Sequence, residues 1–410
     1  MNLFEELKWR GLIHNITDEK IIDKINNEKL TFYLGTDPTG DSLHVGHLLV
    51  FIFAKRLEKY GHQPIFLIGG ATGSIGDPKP NAERKLLTKE QLNHNANGLY
   101  QQVERLFKCK MVNNYDWTYN IDILTFLRNY GKFFNVNYMI NKDTVKSRLD
   151  SGISYTEFSY QILQALDFEH LFVQEGCTLQ IGGQDQWGNI TSGLELIRKI
   201  HGADAEAYGI TVPLFTKSDG TKFGKTEGGA IWLDAKKTTP YAFYQFWINT
   251  PDNDVIRELK QFTFLSKEEI EKIEESFNQE PHLRVAQKAL AKEMTIMIHS
   301  KESYEQAVKL SEALFSGEIT NLSKEEIEMV FSELPKIEIS EDIALVDALV
   351  NLKAASSKRE ARDFINGGAV LVNGHQEKDV TYMVKKQDAI GKTYTVLRRG
   401  KKNYYLIEHK

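Results

Sequence analysis

"LTFYLGTDPTGDSLHVGHLLVFIFAKRLEKYGHQPIFLIGGATG", residues 30–73, is the stretch that decides the fold. Two short apolar runs, LTFYLGTD and QPIFLIGGATG, each end in glycine and small or acidic residues. Between them, HVGHLLVFIFAKRLEKYG has the apolar spacing of a helix, read from about Leu43 to a stop at Gly61. Strand, helix and strand at this length predict a βαβ unit and therefore a parallel sheet. Further on, CTLQIGGQDQWGN supplies another glycine-ended strand and SGLELIRKIHG a helix after it. In open parallel sheets, ligands sit beyond the carboxyl ends of the strands. The glycines and acidic residues fall at those ends in all three places.

Outward from this core the texture changes. From about Thr238, apolar residues recur at three- and four-residue spacing, which predicts a helical segment. The words LSKEEI at 265–270 and 322–327 place Ser266 and Ser323 three residues before a glutamate, the pattern of a capping box. SELPKIEIS reads as a linker, and two amphipathic helices and a strand with a VNG turn follow it. The expected organisation is a Rossmann-like α/β domain over 1–235, a helical domain over 236–335 and a small α+β domain over 344–410.

Composition sets bounds. The 410 residues are enough for two or three domains. No apolar run is long enough to span a bilayer, and the opening residues MNLFEELKWRGLI mix both charge signs and show no secretory signal. Two cysteines are too few for a disulfide framework or a structural zinc site, so no metal site is expected and a reducing, cytoplasmic compartment is. The net charge of −5 is uneven: from Pro335 onward there are 14 Lys and Arg against 10 Asp and Glu, with 37 against 46 before it. A small basic unit on an acidic body suggests a binding appendage, and on charge alone a sampling fluctuation is an equal reading.

The chemistry begins at His44 and His47, three residues apart and so on one face of the first helical turn. Backbone N–H groups and the helix dipole favour an anion there, and Gly46 lets a flat group lie close to the backbone. The plain alternative is two partly exposed helix histidines. In KSDGTKFGKT, residues 217–226, Lys222 and Lys225 flank a Gly-rich turn. Mobile lysines can close on a polyphosphate and neutralise a leaving group. A lysine-rich surface loop is the plain alternative.

Together, HVGH after the first strand and KFGKT after the last resemble the HIGH and KMSKS signatures of class I aminoacyl-tRNA synthetases. The words YLGTDPTGDSLHVGH, GGATGSIGDP, NYDW, YTEFSYQILQALD and IGGQDQWGNI resemble the bacterial tyrosyl-tRNA synthetase family, and the likeness runs over nearly the whole chain, including an S4-like RNA-binding domain at about 344–410. The resemblance implies two steps: the carboxylate of L-tyrosine attacks the α-phosphate of ATP, and the terminal ribose of tRNA(Tyr) then attacks the adenylate. No protein nucleophile is needed, so positioning and charge stabilisation carry the catalysis.

Carried onto this chain, the resemblance gives Thr39 and His44 to the γ-phosphate in the transition state and His47 to the ribose. Lys79, Arg84, Lys222 and Lys225 become the cations around pyrophosphate. Asp37, Gly183 and Asp185 hold the AMP moiety beside Gly46, with Leu214 and Phe215 against adenine. Tyr33, Asp77, Tyr160, Gln164, Asp167 and Gln186 form the tyrosine pocket. Within it, Tyr33 and Asp167 suit the phenol, and Asp77, Tyr160 and Gln164 suit the ammonium. The spacing of Tyr160, Gln164 and Asp167 puts them on one helix face. The alternative, a polar face toward solvent, conflicts with Phe158, Ile162, Leu163 and Leu166 in the same segment. Leu34 stands where some relatives carry a cysteine that touches the ribose, and Val50 holds a variable position on the histidine helix. Mg²⁺ is expected with ATP, held mostly by phosphate and water. Lys358, Arg359 and Arg362 are the expected RNA contacts, and a homodimer without membrane attachment is implied. The rival readings are the tryptophan-specific relative, a small-molecule nucleotidylyltransferase, and an inactive paralogue that only binds RNA. Tyrosine-dependent ATP–pyrophosphate exchange separates them.

Overall fold

The computed structural model describes residues 1–78, 85–216, 225–226, 229–316, 318–331, 334–400 and 403–410, with the side chains of Asp143, Lys225 and Thr226 excepted. The chain divides into two compact units. The first comprises 1–237 and 249–290, and the second comprises 238–248 and 291–410. The helical stretch 236–335 of the sequence reading is thus shared between them.

The first unit is built on a six-stranded sheet. Its strands are β1 (Asn15–Ile16), β2 (Thr31–Thr36), β3 (Gln63–Ile68), β4 (Lys110–Asn113), β5 (Cys177–Gly183) and β6 (Tyr208–Val212). The spatial order is β1-β6-β5-β2-β3-β4, parallel throughout except for β1 against β6. Parallel strands buried on both faces read as near-continuous apolar runs. β2 does so: Phe32, Tyr33 and Leu34 are all buried. From β2 the chain runs outward through β3 and β4, then returns on the other side as β5 and β6. The order reverses between β2 and β5, and a crevice opens at their carboxyl ends, where α/β sheets take ligands. Tyr33 pairs directly with Gln180 across this switch point.

The helix after β2 spans Val45–Lys59, two residues later than the sequence reading placed its start. Leu43 and Val45 are held by backbone bonds to Leu233 and Ile231, and His44 forms an antiparallel bridge with Trp232. That pairing keeps His44 extended, so it caps the helix instead of joining it. Gly61 follows the last turn with φ +97, a conformation favouring glycine. The helix Tyr155–Glu175 packs on Trp187–His201, and Tyr33, Phe168, Leu171, Ile190, Leu194 and Ile197 share one core between helices and sheet. Arg10 and Arg56 are buried and both bond Glu6, and each donates to the Thr263 carbonyl. These bonds lock the first helix (Leu3–Trp9) and the histidine helix to the end of Asp252–Phe262.

In the second unit, five strands run in the order 375–377, 370–372, 394–399, 403–409, 336–339. The segment read as a linker therefore contains an edge strand, Lys336–Ile339, parallel to Asn403–His409. Its alternation, KIEI, buries one face only in part, which is why it looked like a connector. The VNG turn joins 370–372 to 375–377, with Asn373 and Gly374 both at positive φ, the signature of a tight hairpin. Ser323 and Glu326 cap the helix Lys324–Phe331 reciprocally, as Ser266 and Glu269 do for Lys267–Gln279 in the first unit.

Candidate active site

A cavity of about 330 Å³ opens at the switch point. His44 and His47 form one wall. The His44 Nδ1 accepts from the Gly46 N–H at 3.0 Å, and the His47 Nδ1 accepts from the His44 N–H at 3.2 Å. The two rings lie 4.0 Å apart. The histidines thus cap the helix as a reciprocal pair, satisfying two backbone donors that would otherwise lack partners. With both Nδ1 atoms used as acceptors, each neutral ring carries its proton on Nε2. Enclosure of His47 by protein, with His44 beside it, pushes its pKa down to about 3, so this ring is neutral. The flat group beside Gly46 is the His44 ring itself: a Cβ there would lie 2.8 Å from it.

The closed end of the cavity holds Tyr33 and Asp167, both about 1% exposed. Asp167 accepts from Asn114 Nδ2 and from Trp117 Nε1, each at 2.9 Å. Burial nonetheless raises its pKa to about 7. The Tyr33 hydroxyl and the Gln180 Oε1, paired on adjacent strands, have no hydrogen-bond partner among the described residues. Buried polar atoms are nearly always bonded, so two such atoms lining one cavity point to a polar ligand group.

Toward the mouth, the expected helix face is present. Tyr160, Gln164 and Asp167 all line the cavity from Tyr155–Glu175. The Tyr160 hydroxyl donates to Asp37 at 2.9 Å, and Thr72 donates to the other Asp37 oxygen at 2.6 Å. Gln164 donates to Gln186, and Gln186 and Asn189 donate to the two oxygens of Asp77. Asp77 and Asp37 thus put two carboxylates on the cavity wall, a setting for a cationic group.

Asp37, Thr39, Gly46, Gly183, Asp185, Leu214 and Phe215 line the remainder, as do Leu34 and Val50. Leu214 is 38% exposed, whereas Phe215 is buried and packs edge-on against Phe262 at 4.7 Å. Phe215 is therefore as much a core residue as a wall. Lys79, Arg84 and Lys222 lie outside the described residues, as does the side chain of Lys225. Lys358, Arg359 and Arg362 are exposed on the helix Lys358–Asn366 of the second unit. Among the described residues, no group of three or more His, Cys, Asp or Glu is placed to hold a metal ion.

With this geometry in hand, comparison with known proteins is informative. Residues 25–316 match the family of tRNA synthetases class I (W and Y), and 326–407 match the tyrosine–tRNA ligase SYY-like C-terminal domain. The tyrosine–tRNA ligases of Listeria welshimeri and Staphylococcus haemolyticus are each 52% identical to the chain, covering all of it and 100% and 99% of their own lengths. The chain belongs to the tyrosine–tRNA ligase family. A C-terminally truncated mitochondrial tyrosyl-tRNA synthetase from Aspergillus nidulans superposes with a TM-score of 0.69 at 34% identity, over 77% of this chain and 94% of that one. A tryptophanyl-tRNA synthetase from Encephalitozoon cuniculi, at 15% identity and a TM-score of 0.54, shares the fold.

Sequence reading missed several polar residues in and beside this cavity. Asn114 bonds Asp167, Thr72 and the Ala71 N–H, so it ties the turn after β3 to the far helix. Trp117 stacks on His170 with 4.3 Å between rings while donating to Asp167. Asn189 completes the Asp77 network. Asn114 and Trp117 stand in the word NYDW, which signalled the family without assigning these roles. For Gln180, the signal was a glutamine inside the buried strand CTLQIGG.

Proposed function

We propose that the chain is a tyrosine–tRNA ligase that joins L-tyrosine to ATP as tyrosyl-adenylate and transfers tyrosine to the 3′ end of tRNA(Tyr). The observation that carries this reading is the closed end of the cavity. The Tyr33 hydroxyl, without a partner among the described residues, and the Asp167 carboxyl face a space that suits one further hydroxyl group. A phenol entering there donates to Asp167 and accepts from Tyr33. Asp77, with Gln164 and Tyr160 around it, receives the ammonium group. That leaves the tyrosine carboxylate directed toward Asp37 and the histidine helix.

The carboxylate oxygen attacks the α-phosphorus of ATP; the bond to the bridging oxygen breaks and pyrophosphate leaves with the electron pair. His44 and neutral His47 donate Nε2–H bonds, His44 with Thr39 to the γ-phosphate and His47 to the ribose. Lys79, Arg84, Lys222 and Lys225 gather around the leaving pyrophosphate. Gly183 and Asp185 hold the ribose and phosphate side of AMP, and Leu214 and Phe215 flank adenine. Mg²⁺ enters with ATP, bound by phosphate oxygens and water. A hydroxyl of the terminal tRNA ribose then attacks the activated carbonyl and AMP leaves.

Lys358, Arg359 and Arg362 contact tRNA phosphates. The enzyme works in the cytoplasm as a homodimer. Supporting a subunit contact, Tyr119, Ile123, Leu124, Leu127, Val136 and Tyr138 are exposed over one segment of the first unit. Among the described residues no helix is long and apolar enough to cross a membrane. Exchange of labelled pyrophosphate into ATP tests the reading. It requires tyrosine-dependent exchange; dependence on tryptophan instead, or no exchange with any amino acid, refutes it.

A further inference from the structure

Trp232 is not among the residues lining the cavity, yet among the described residues His44, Gly40 and Lys237 all converge on it. Its backbone bridges His44, flanked by the bonds Val45 N–H to Ile231 O and Leu233 N–H to Leu43 O, each 2.9 Å. Its indole meets the His44 ring edge-on at 5.8 Å, an angle of 74°. The same indole lies against the backbone of Gly40, where a Cβ would stand 3.6 Å from it. Lys237 places its ammonium 5.1 Å from the indole centroid and 2.5 Å from an Asp41 oxygen. The ring is thus held between the His44 imidazole, the 39–41 loop and a cation that also grips that loop.

The chain leading into Trp232 gives the cluster its significance. Lys225–Thr226 pairs antiparallel with Gly229–Ala230, Lys225 opposite Ala230. Ile231, the next residue, makes the first bond to the histidine helix. The Lys225–Thr226 and Gly229–Ala230 pair therefore leads directly, through Ile231, into the residues that bond the helix cap. We propose that Trp232 is a positioning residue for adenylate formation: it fixes the His44 ring and the Thr39–Asp41 loop in register with the arm that carries Lys225. The inference rests on the ligase reading above and assigns Trp232 no contact with substrate.

Trp232→Leu and Trp232→Phe in the full chain test it, with exchange kinetics and tyrosine affinity measured separately by equilibrium dialysis without ATP. Trp232→Leu lowers kcat for tyrosine-dependent exchange about ten-fold, the scale of one aromatic pair, and leaves tyrosine affinity unchanged. Trp232→Phe recovers most of the rate. Combined with His44→Ala, the losses are less than multiplicative, because both changes remove the same placed imidazole. Unchanged kcat, a parallel loss of tyrosine affinity, or fully multiplicative losses overturns the proposal. Lys237→Met, at a partly exposed position, covers the case in which Trp232→Leu fails to fold. It gives the same kcat-only signature at about two-fold, and an unchanged kcat there overturns the proposal too. A wild-type chain with no tyrosine-dependent exchange refutes the ligase reading itself, and the proposal with it.

Discussion

Tyr33 carries a hydroxyl that the folded protein leaves without a partner among the described residues, and such a group costs about 1–3 kcal/mol when buried. Tyr33→Phe should therefore leave the ligand-free protein as stable as the parent or more so in urea unfolding. The same change should reduce the preference for tyrosine over phenylalanine in kcat/KM, since a site built to bond a hydroxyl rejects the analogue lacking it. The general magnitude, about 10⁵-fold, is known for tyrosyl-tRNA synthetase as a class. A less stable variant with undiminished selectivity would remove Tyr33 from the pocket. Asp167 gives a second handle. Burial raises its folded pKa to about 7, far above an ordinary carboxyl, so between about pH 4 and 7 the folded state holds a proton that the unfolded state has lost. Stability should fall as pH rises through that window, by up to about 1.4 kcal/mol per pH unit from this residue. Asp167→Asn should flatten the slope; identical slopes in parent and variant would contradict the assignment. The Tyr160, Gln164 and Asp167 face was legible in the sequence because helical spacing is local. Asn114 and Trp117 were not, because their partner lies about fifty residues away and only the fold brings them together.

The histidine helix shows how one element serves stability and chemistry together. His44 caps it through Nδ1 while its ring lines the cavity. These roles separate by substitution. Asparagine is among the best N-cap residues, so His44→Asn should keep thermal stability near that of the parent. It should lower kcat for adenylate formation about 10²-fold, the usual cost of one lost transition-state donor, with tyrosine KM little changed. A rise in KM with kcat intact would make His44 a ground-state contact. Sequence spacing found this helix and its stop at Gly61. It put the start two residues early because pairing of Leu43–Val45 with Ile231–Leu233, nearly 190 residues away, holds the cap extended. The same limit hid Lys336–Ile339, a strand only because Asn403–His409 lies alongside.

At the scale of the whole molecule, the proposed reading puts amino-acid chemistry on the acidic body and RNA binding on the basic tail. Every described residue proposed for the adenylate site lies in the first unit, and the exposed basic helix in the second. Deleting the tail from Pro335 would cut through a shared core, because Leu310, Ile327 and Phe331 pack with Tyr394, Val396 and Leu406. Charge reversal is the cleaner probe. Arg359→Glu with Arg362→Glu should leave tyrosine-dependent exchange intact, weaken tRNA(Tyr) binding and flatten its salt dependence by roughly one unit of log–log slope per lost phosphate contact. Unaltered tRNA affinity at every salt concentration would place RNA recognition elsewhere. The most direct test of the central claim is charging of tRNA(Tyr) with labelled tyrosine, tryptophan and phenylalanine in parallel, with ATP present. The account predicts that tyrosine alone is esterified to the 3′ end and that AMP and pyrophosphate are released in equal amounts. Charging with tryptophan, or no charging by a folded protein that binds tRNA, would contradict it.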